Sequence, residues 1–246
     1  MREWISGRNP VYESLRAGRR DAFKLLISQG AQAKGKLDEI LRLCQQRKIP
    51  VERVPHQQLD SRFPAGQGVA LETSTYPYSE LTEMLSLAEQ RGEPPLLLLL
   101  DTLQDPQNLG TLMRTAEIVG VHGVLLPLRH TVTVTPAVVH ASSGASEHLL
   151  VAQANLAQAI EILKQEGVWV IGLEGGGAGQ PPDQMRLDGP LALVVGSEGQ
   201  GMRPLVRTSC DLIMSLPMRG RIDSLNAAVA GSIALYLVWQ SRGFVH

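Results

Sequence analysis

Three short polar segments contain the residues of this sequence that are best suited to chemistry. They are residues 105–110 (DPQNLG) with Arg114 downstream, residues 196–202 (GSEGQGM) around Glu198, and residues 217–226 (PMRGRIDSLN) with Ser224 and Asn226. Amide, guanidinium, carboxylate and hydroxyl groups can together orient a polar substrate, stabilise a developing negative charge and accept a proton. The glycines of the second segment allow the backbone to approach a ligand closely.

Each segment also has a structural interpretation, which the residues alone leave open. Asn108 is a suitable helix N-cap, Arg114 a suitable surface residue, and the glycine-rich segment is compatible with a plain turn. Asp223 or Ser224 is a natural N-cap for the helix that follows, whereas Asn226 inside that helix is harder to explain by propensity. Small residues then suit packing against another helix or a second subunit: Ala227, Ala228, Ala230, Gly231 and Ser232.

Other kinds of site are disfavoured by spacing. Residues 196–201 do not match the G-x-G-x-x-G fingerprint, and the glycines of residues 175–179 lead into Pro181 and Pro182 where that fingerprint needs a helix. Nicotinamide binding is therefore disfavoured. Cys44 and Cys210 form no CxxC pair, which argues against a zinc site or a disulfide and indicates buried thiols in a reducing compartment.

The second part of the chain alternates apolar runs with helical segments. The predicted strands are 96–100, 123–126, 169–173, 191–195 and 212–216, and the predicted helices are 109–119, 136–142, 156–165 and 224–240. Apolar residues at consecutive positions are typical of strands covered on both faces, and strand–helix alternation predicts an α/β parallel sheet. Ligands bind at the carboxyl ends of such strands, where all three polar segments lie.

The amino-terminal part predicts a small α/β unit. Helices are expected at 10–17 and 36–47 and strands at 23–28, 51–54 and 68–71, followed by a linker at 72–78 that is poor in aliphatic residues. Residues 1–74 contain thirteen Lys or Arg and eight Asp or Glu, a net charge of +5, so the remainder carries −6. The amino-terminal third is therefore the part expected to meet a polyanion, although solvated helix faces would explain the charge equally well.

Composition is that of an ordinary globular protein, with 43% hydrophobic and 19% charged residues. No apolar run approaches the ~20 residues that span a bilayer, and the amino terminus has no export signal. A cytoplasmic protein is expected.

Together the three polar segments resemble the SpoU-type RNA ribose methyltransferases of the SPOUT superfamily, also called the TrmH family. The similar region covers roughly residues 94–241, with DPQNLG and Arg114, VGSEGQGM, and LPM with Gly220 and SLN in the family's order. Residues 5–11 (ISGRNPV) and 66–70 (GQGVA) look like the start and end of the small substrate-binding domain of the subgroup that acts on 23S ribosomal RNA. That domain is similar to ribosomal protein L30e.

The resemblance implies a fold, a division into domains and a cofactor. It implies an L30e-like RNA-binding domain at 1–74, a linker and lead-in helix at 75–93, and a catalytic domain at 94–246 whose carboxyl-terminal segment forms a deep trefoil knot. It also implies a homodimer formed through the catalytic domain, and S-adenosylmethionine bound in the knot. The implied cofactor-binding residues are Leu173, Glu174, Gly175, Gly196, Gly201, Leu216, Met218, Ser224 and Leu225.

The implied catalytic residues are Asn108, Arg114, Glu198, Ser224 and Asn226, with RNA contacts expected from Arg8, Arg16, Arg19 and Arg20. A guanidinium stays protonated in proteins, so Arg114 is expected to bind a phosphate and stabilise the 2′-oxyanion rather than act as a base. Glu198, Ser224 or a water is then the proton acceptor. The expected reaction is methylation of a guanosine 2′-hydroxyl in 23S ribosomal RNA. The alternatives are the same chemistry on transfer RNA, or a silent RNA-binding protein of this fold.

Overall fold

The computed structural model describes residues 1–177, 179–222 and 224–244. Its strands are β1 (Arg2–Ser6), β2 (Ala22–Ser28), β3 (Val51–Val54), β4 (Val69–Ser74), β5 (Leu96–Leu100), β6 (Gly123–Pro127), β7 (Val151–Ala154), β8 (Trp169–Leu173), β9 (Leu191–Val195) and β10 (Leu212–Met214). Its helices are α1 (Arg8–Ala17), α2 (Lys36–Gln46), α3 (His56–Arg62), α4 (Leu81–Arg91), α5 (Pro106–Ile118), α6 (Pro136–Ala141), α7 (Leu156–Gln165), α8 (Pro204–Ser209) and α9 (Ala227–Ser241). Short 3₁₀ helices span Ala145–His148 and Pro182–Gln184.

The chain divides into two compact units. One contains Met1–Pro77 together with Val134–His148, and the other contains Tyr78–Thr133 and Leu149–His246. The sequence analysis placed 134–148 with the catalytic segment, whereas these residues pack with the amino-terminal unit. The reason is a long-range contact that no local pattern reveals: the guanidinium of Arg20 donates to both carboxylate oxygens of Glu147 at 2.7 and 2.9 Å.

The amino-terminal unit is built on a four-stranded sheet of order β1-β4-β2-β3. Strands β1 and β2 run antiparallel to β4, and β3 runs parallel to β2. The sequence analysis missed β1 and α3 and ended the last strand too early. The expected linker at 72–78 is wrong in its first part, because Glu72–Ser74 belong to β4 and Thr73 and Tyr76 are buried.

The second unit contains the predicted parallel sheet, in the order β10-β8-β9-β5-β6-β7. Every residue of β5, β6 and β9 is buried, as expected for central strands that carry helices on both faces. The sequence analysis found β5, β8 and β9 with the observed bounds and missed the short edge strand β7. No helix in the described part of the chain is long and apolar enough to cross a membrane.

The last helix packs on α5 through its small residues. A Cβ built on Gly231 would lie 2.6 Å from Leu112 Cδ2, and Ala228, Ala234 and Leu235 are buried. The hydroxyls of Thr115 and Ser232 are 2.9 Å apart across the same contact. Of the two uses left open for these small residues, the structure therefore realises packing on another helix of the same chain.

Candidate functional site

The glycine-rich loop after β9 folds back on itself directly beside the sheet. Ser197 and Gly201 exchange two backbone hydrogen bonds of 3.0 Å each, so the loop doubles back within five residues. A Cβ on Gly196 would lie 2.2 Å from the carbonyl carbon of Gly201, which no side chain can tolerate. Gly201 has φ +68°, a region that side chains rarely adopt. The loop is therefore shaped by close backbone approach at one glycine and positive φ at the other.

Two further loops meet at Ser215, directly after β10. Its hydroxyl donates to the carbonyl of Glu174 at 2.9 Å and accepts from the backbone N–H of Gly179 at 3.0 Å. Its own N–H donates to the carbonyl of Gln180 at 2.9 Å, and the N–H of Gln180 donates to Ile213 at 2.8 Å. The segment after β8 is thereby fixed on the strand that precedes residues 216–226.

The loops after β8, β9 and β10 enclose one cavity of about 620 Å³. This volume lies within the range of about 300–1,000 Å³ that is common for small-molecule sites. All nine residues implied as cofactor-binding line this cavity, which we call the donor cavity: Leu173, Glu174, Gly175, Gly196, Gly201, Leu216, Met218, Ser224 and Leu225. Glu198 and Asn226 line it as well. The sequence analysis missed Val195, Ser197 and Gln200 in the lining, since it assigned only some residues of each motif to the cofactor.

Three of the five residues implied as catalytic form one hydrogen-bonded cluster at this cavity. The Nδ2 amide of Asn108 donates to Glu198 Oε1 at 3.0 Å, and that of Asn226 donates to the same oxygen and to Asn108 Oδ1, the latter at 3.2 Å. Both amides thus orient the carboxylate. Within the described residues no donor lies at Glu198 Oε2, and the side chains of Glu198 and Asn226 are exposed.

The helix caps differ from the expected ones. Asp105 is the N-cap of α5, since its carboxylate accepts the backbone N–H of Gln107 at 3.0 Å, so Asn108 lies inside the first turn and its side chain is available to Glu198. Asn226 is itself the N-cap of α9, because its Oδ1 accepts the N–H groups of Ala228 and Val229 at 2.9 and 3.1 Å. Capping was expected from Ser224 or Asp223. Asp223 lies outside the described residues.

The other two expected catalytic residues make no hydrogen bond to Asn108, Glu198 or Asn226 in the part of the chain that the structure describes. Ser224 is exposed and lines the donor cavity. Arg114 lies on the exposed side of α5 and does not line the donor cavity, nor the neighbouring cavity that Asn108 and Glu198 both line. The predicted apolar stripe of that helix is confirmed, with Leu109, Leu112, Met113 and Ala116 buried.

Both cysteines are held in the thiol form by burial. Burial raises the pKa of Cys44 to about 11 and that of Cys210 to about 11, so both thiols stay protonated at neutral pH. No cluster of three or more potential metal ligands occurs in the described ranges.

A buried acid that the sequence analysis missed anchors the far end of the glycine-rich loop. Asp101 directly follows β5 and is 0% exposed. It accepts the backbone N–H of Arg203 at 2.7 Å and the Nε of the same residue at 2.8 Å. The signal available in the sequence was a charged residue placed at the end of a fully apolar strand.

The arginines expected to contact RNA differ in their availability. Arg8 is half-buried, Arg16 is exposed, and Arg19 donates to the Tyr76 hydroxyl at 2.8 Å and to the Pro77 carbonyl at 3.0 Å. The expectation for Arg20 is wrong, because its side chain is 1% exposed and bonds Glu147 and Glu3. Burial lowers the pKa of Arg20, but its hydrogen bonds to Glu147 and the two carboxylate charges outweigh burial and raise it.

Comparison with known proteins identifies the family of both regions. Residues 95–236 match the SpoU rRNA Methylase family, and residues 4–79 match the family described as RNA 2′-O ribose methyltransferase substrate binding. A protein of Bacillus subtilis named for the TrmH family of tRNA/rRNA methyltransferases is 40% identical over 244 residues, covering 98% of this chain and 96% of that protein. A Staphylococcus aureus protein named for the same family is 41% identical over 240 residues, covering 97% of this chain and 96% of that protein.

Two solved structures share the fold. The SpoU methyltransferase AviRb from Streptomyces viridochromogenes, in complex with AdoMet, matches with a TM-score of 0.82 at 22% identity. The match covers 99% of this chain and 92% of the AviRb chain. An AdoMet-bound rRNA methyltransferase from Sinorhizobium meliloti matches with a TM-score of 0.78 at 23% identity. That match covers 97% of this chain and 87% of the Sinorhizobium chain. The family match spans more than half of the chain, and the Bacillus relative is similar along nearly its whole length. This chain is a member of the SpoU family of RNA methyltransferases.

Proposed function

We propose that this protein transfers a methyl group from S-adenosylmethionine to a ribose 2′-hydroxyl in structured RNA, with a guanosine of 23S ribosomal RNA as the target. The observation that carries the proposal is the cluster of Asn108, Glu198 and Asn226 at the rim of the donor cavity. The match of residues 4–79 to a substrate-binding domain of RNA 2′-O ribose methyltransferases supports the ribose as acceptor. We expect a cytoplasmic location.

The donor cavity fits S-adenosylmethionine in size and chemistry. Leu216, Met218 and Leu225 provide apolar side chains suited to an adenine ring, and Met218 and Leu225 are 38% and 40% exposed. The backbone around Gly196 and Gly201 provides polar groups at close range, because no side chain stands in front of them. The residues implied as cofactor-binding are thus proposed to hold the adenosine and the amino-acid part of this molecule.

The protein's own groups have two tasks in the reaction. When bound, S-adenosylmethionine supplies a methyl group activated by a positively charged sulfur, and the acceptor hydroxyl must lose one proton. Glu198 Oε2 is the proposed acceptor of that proton, either directly or through Ser224 or a water, since Oε1 is held by the two amides. Asn108 and Asn226 fix the carboxylate in place, which contributes to catalysis through positioning.

Arg114 is proposed to bind a phosphate of the RNA beside the reacting ribose. A guanidinium stays charged and carries its N–H donors in a planar fork, which suits a phosphate and a developing oxyanion. Arg114 and Ile118 lie one turn apart on α5, so both face the same side of that helix. Ile118 is 55% exposed.

A homodimer through the catalytic unit is supported by an exposed apolar face on α9. Val229, Ile233 and Tyr236 follow one another at helical spacing on α9 and are 44%, 40% and 49% exposed. A contiguous apolar face of this kind is typical of a protein interface. We propose that this face, with Ile118 of α5, forms the dimer contact.

A trefoil knot behind the donor cavity is also proposed. Strand β10 pairs in parallel with β8 on one side, and Gln180 forms a parallel bridge with Met214 on the other. Residues 213–215 thus have β8 on one side and Gln180 on the other, which supports a threaded path for the segment that continues into α9.

We propose that residues 1–74 bind RNA, with Arg8, Arg16 and Arg19 as expected contacts.

Transfer of label from S-adenosylmethionine to RNA tests this function. The purified protein should label total RNA from cells that lack the gene, and the labelled phosphodiester bonds should resist alkali because the 2′-oxygen is blocked. Recovery of the label in 23S ribosomal RNA is expected, whereas recovery in transfer RNA would correct the substrate. A protein that binds RNA without transferring label would be the silent binder, and the proposal would fail.

A further inference from the structure

A second cavity adjoins the donor cavity at Glu198. It has a volume of about 600 Å³ and is lined by Asn108 and by residues of the glycine-rich loop, including Ser197, Glu198 and Gly201, which also line the donor cavity. The hydrogen-bonded cluster therefore stands between two cavities and faces both. We call this second space the acceptor cavity.

The arrangement constrains where the acceptor nucleotide enters. If the donor cavity holds the methyl donor, as the proposed function requires, a 2′-hydroxyl must reach Glu198 from a direction that the donor does not occupy. The described lining of the acceptor cavity includes Glu198 but none of Leu216, Met218 and Leu225, and the cavity volume falls within the range of small-molecule sites, which a single nucleoside can occupy.

Arg203 is the only arginine or lysine in the described lining of the acceptor cavity, and it is oriented by a buried acid. Asp101, 0% exposed, binds the N–H and the Nε of Arg203, whose side chain is 47% exposed. The two terminal nitrogens of this guanidinium have no hydrogen-bond partner among the residues that the structure describes. A guanidinium fixed through Nε presents its other donors as a fork, which matches the oxygens of a phosphate.

A third cavity of about 470 Å³ continues from the acceptor cavity through His130 and Arg203, which line both. Its described lining includes Arg129 and contains no aspartate or glutamate. Leu128 and Leu205 flank it and are 64% and 66% exposed, so apolar surface is available beside the two arginines. We call this space the exit groove. Positive charge beside apolar surface suits a single strand of nucleic acid.

Two residues of the acceptor cavity have an unusual backbone conformation. Thr102 has φ +61° and His130 has φ +60°, in the left-handed region that side chains rarely adopt. A β-branched residue such as threonine is especially uncommon there, and such conformations concentrate at ligand sites.

We propose that the acceptor cavity receives the target nucleoside of the RNA, and that Arg203 and Arg129 bind the phosphates of the strand that leaves it along the exit groove. Asp101 acts as the positioning residue for Arg203. This inference rests on the proposed function and adds a substrate subsite to it, since neither arginine belongs to the motifs that carry the family resemblance.

The test compares methyl transfer by the full-length protein and the variants Arg129→Gln, Arg203→Gln and Arg203→Lys. The acceptor is total RNA from cells lacking the gene, and kcat/KM for RNA is measured at several salt concentrations, with the dissociation constant of S-adenosylmethionine measured separately. Arg186→Gln is the matched control, because Arg186 is highly exposed and lines none of the three cavities. Thermal unfolding of each variant checks folding, as loss of Arg203 leaves Asp101 buried without its ion pair.

Arg129→Gln and Arg203→Gln should each lower kcat/KM for RNA about tenfold, which corresponds to losing one hydrogen-bonded contact to a charged group. Each should also reduce the slope of log kcat/KM against log salt by about one, as expected when one phosphate contact is lost. Arg203→Lys should keep the slope but lose part of the rate, and the affinity for S-adenosylmethionine should not change.

Wild-type-like kcat/KM and salt slope in a folded Arg129→Gln variant would overturn the inference and leave the proposed function intact. A weakened affinity for S-adenosylmethionine in both variants would also overturn it, because the arginines would then serve the donor cavity. Absence of transfer by the wild-type protein would instead refute the proposed function itself.

Discussion

Asn226 shows how one side chain serves structure and chemistry together. Its Oδ1 caps α9, while its Nδ2 donates to Glu198 and Asn108. The position of the carboxylate is therefore tied to the first turn of a fifteen-residue helix that packs on α5. An Asp cap could satisfy the helix but has no donor to offer Glu198, and a Ser cap has a single O–H, whereas the Nδ2 of Asn226 donates to both Glu198 and Asn108.

The first prediction concerns the proton acceptor. Replacement Glu198→Gln should lower kcat by about 10²–10⁴-fold, because an amide cannot accept the proton of the ribose hydroxyl. Methyl transfer at saturating RNA is the measurement, with the affinity for S-adenosylmethionine expected to stay within a few-fold. Glu161→Gln, at an exposed glutamate of α7, is the control. A Glu198→Gln enzyme with normal kcat would show that the proton leaves by another route.

The second prediction concerns Arg114. Arg114→Ala should lower kcat/KM for RNA about 10²-fold through loss of a phosphate and oxyanion contact, and Arg114→Lys should keep most of the activity, because a point charge can hold a phosphate. Single-turnover rates with the same RNA distinguish the two variants. Equal losses in the Lys and Ala variants would contradict the point-charge account and assign a role to the planar fork.

At the scale of elements, the sequence predicted central strands more accurately than edge strands and helix caps. Apolar runs such as Leu96–Leu100 gave correct strand bounds, because both faces of a central strand must be covered. Strand β1 (REWIS) contains neither a continuous apolar run nor a regular polar–apolar alternation, and it was missed. Asn108 was assigned a possible capping role, and the signal that was missed is Pro106 at the first helical position, which identifies Asp105 as the cap.

The third prediction concerns the buried ion pair that fixes 134–148 on the amino-terminal unit. Arg20→Ala should reduce the free energy of unfolding by about 3–5 kcal/mol, because it leaves the fully buried carboxylate of Glu147 without its partner. Urea unfolding followed by circular dichroism is the measurement. Arg16→Ala, at an exposed arginine paired with Glu13 at 3.7 Å, should change stability by less than about 1 kcal/mol. Similar stability of the two variants would contradict the account.

The fourth prediction is a pH dependence that originates at His122. Its Nδ1 accepts the backbone N–H of Leu96 at 3.0 Å, and its Nε2 contacts Glu93 at 3.1 Å. Burial lowers the pKa of His122 below its ordinary value of 6.5. The unfolded chain therefore binds a proton here that the folded chain does not, so this contribution to stability is complete above pH ~6.5 and is lost as the pH falls.

Urea unfolding of the wild type at pH 7.5 and 5.5 should accordingly give the lower stability at pH 5.5. The difference should shrink in His122→Gln, whatever the absolute stability of that variant. His56→Gln, at an exposed histidine, should keep the wild-type difference. An unchanged pH difference in His122→Gln would show that other groups cause it.

At the scale of the molecule, the organisation into units was only partly visible in the sequence. The charge excess of residues 1–74 and the change of pattern near Pro94 located two regions. The return of Val134–His148 to the first unit depends on Arg20 and Glu147, which are 127 positions apart. The convergence of Asn108, Glu198 and Asn226 is equally long-range, but parallel strands bring their carboxyl ends together, so it could be anticipated.

The fifth prediction concerns the proposed dimer. Tyr236→Glu should shift the protein from dimer to monomer in sedimentation velocity, because it places a charge in the exposed apolar face of α9. Ile162→Glu, at an equally exposed apolar residue of α7, should leave the dimer intact. A wild-type protein that sediments as a monomer would contradict the proposed interface.

Nucleoside analysis of RNA treated with the purified protein tests the central claim most directly. RNA from cells lacking the gene is incubated with S-adenosylmethionine and either the wild type or Glu198→Gln, digested to nucleosides and examined by mass spectrometry. A 2′-O-methylnucleoside should appear with the wild type and be strongly reduced with the variant. Methylation on a base, or equal yields of the 2′-O-methylnucleoside from both proteins, would contradict a reaction centred on Asn108, Glu198 and Asn226.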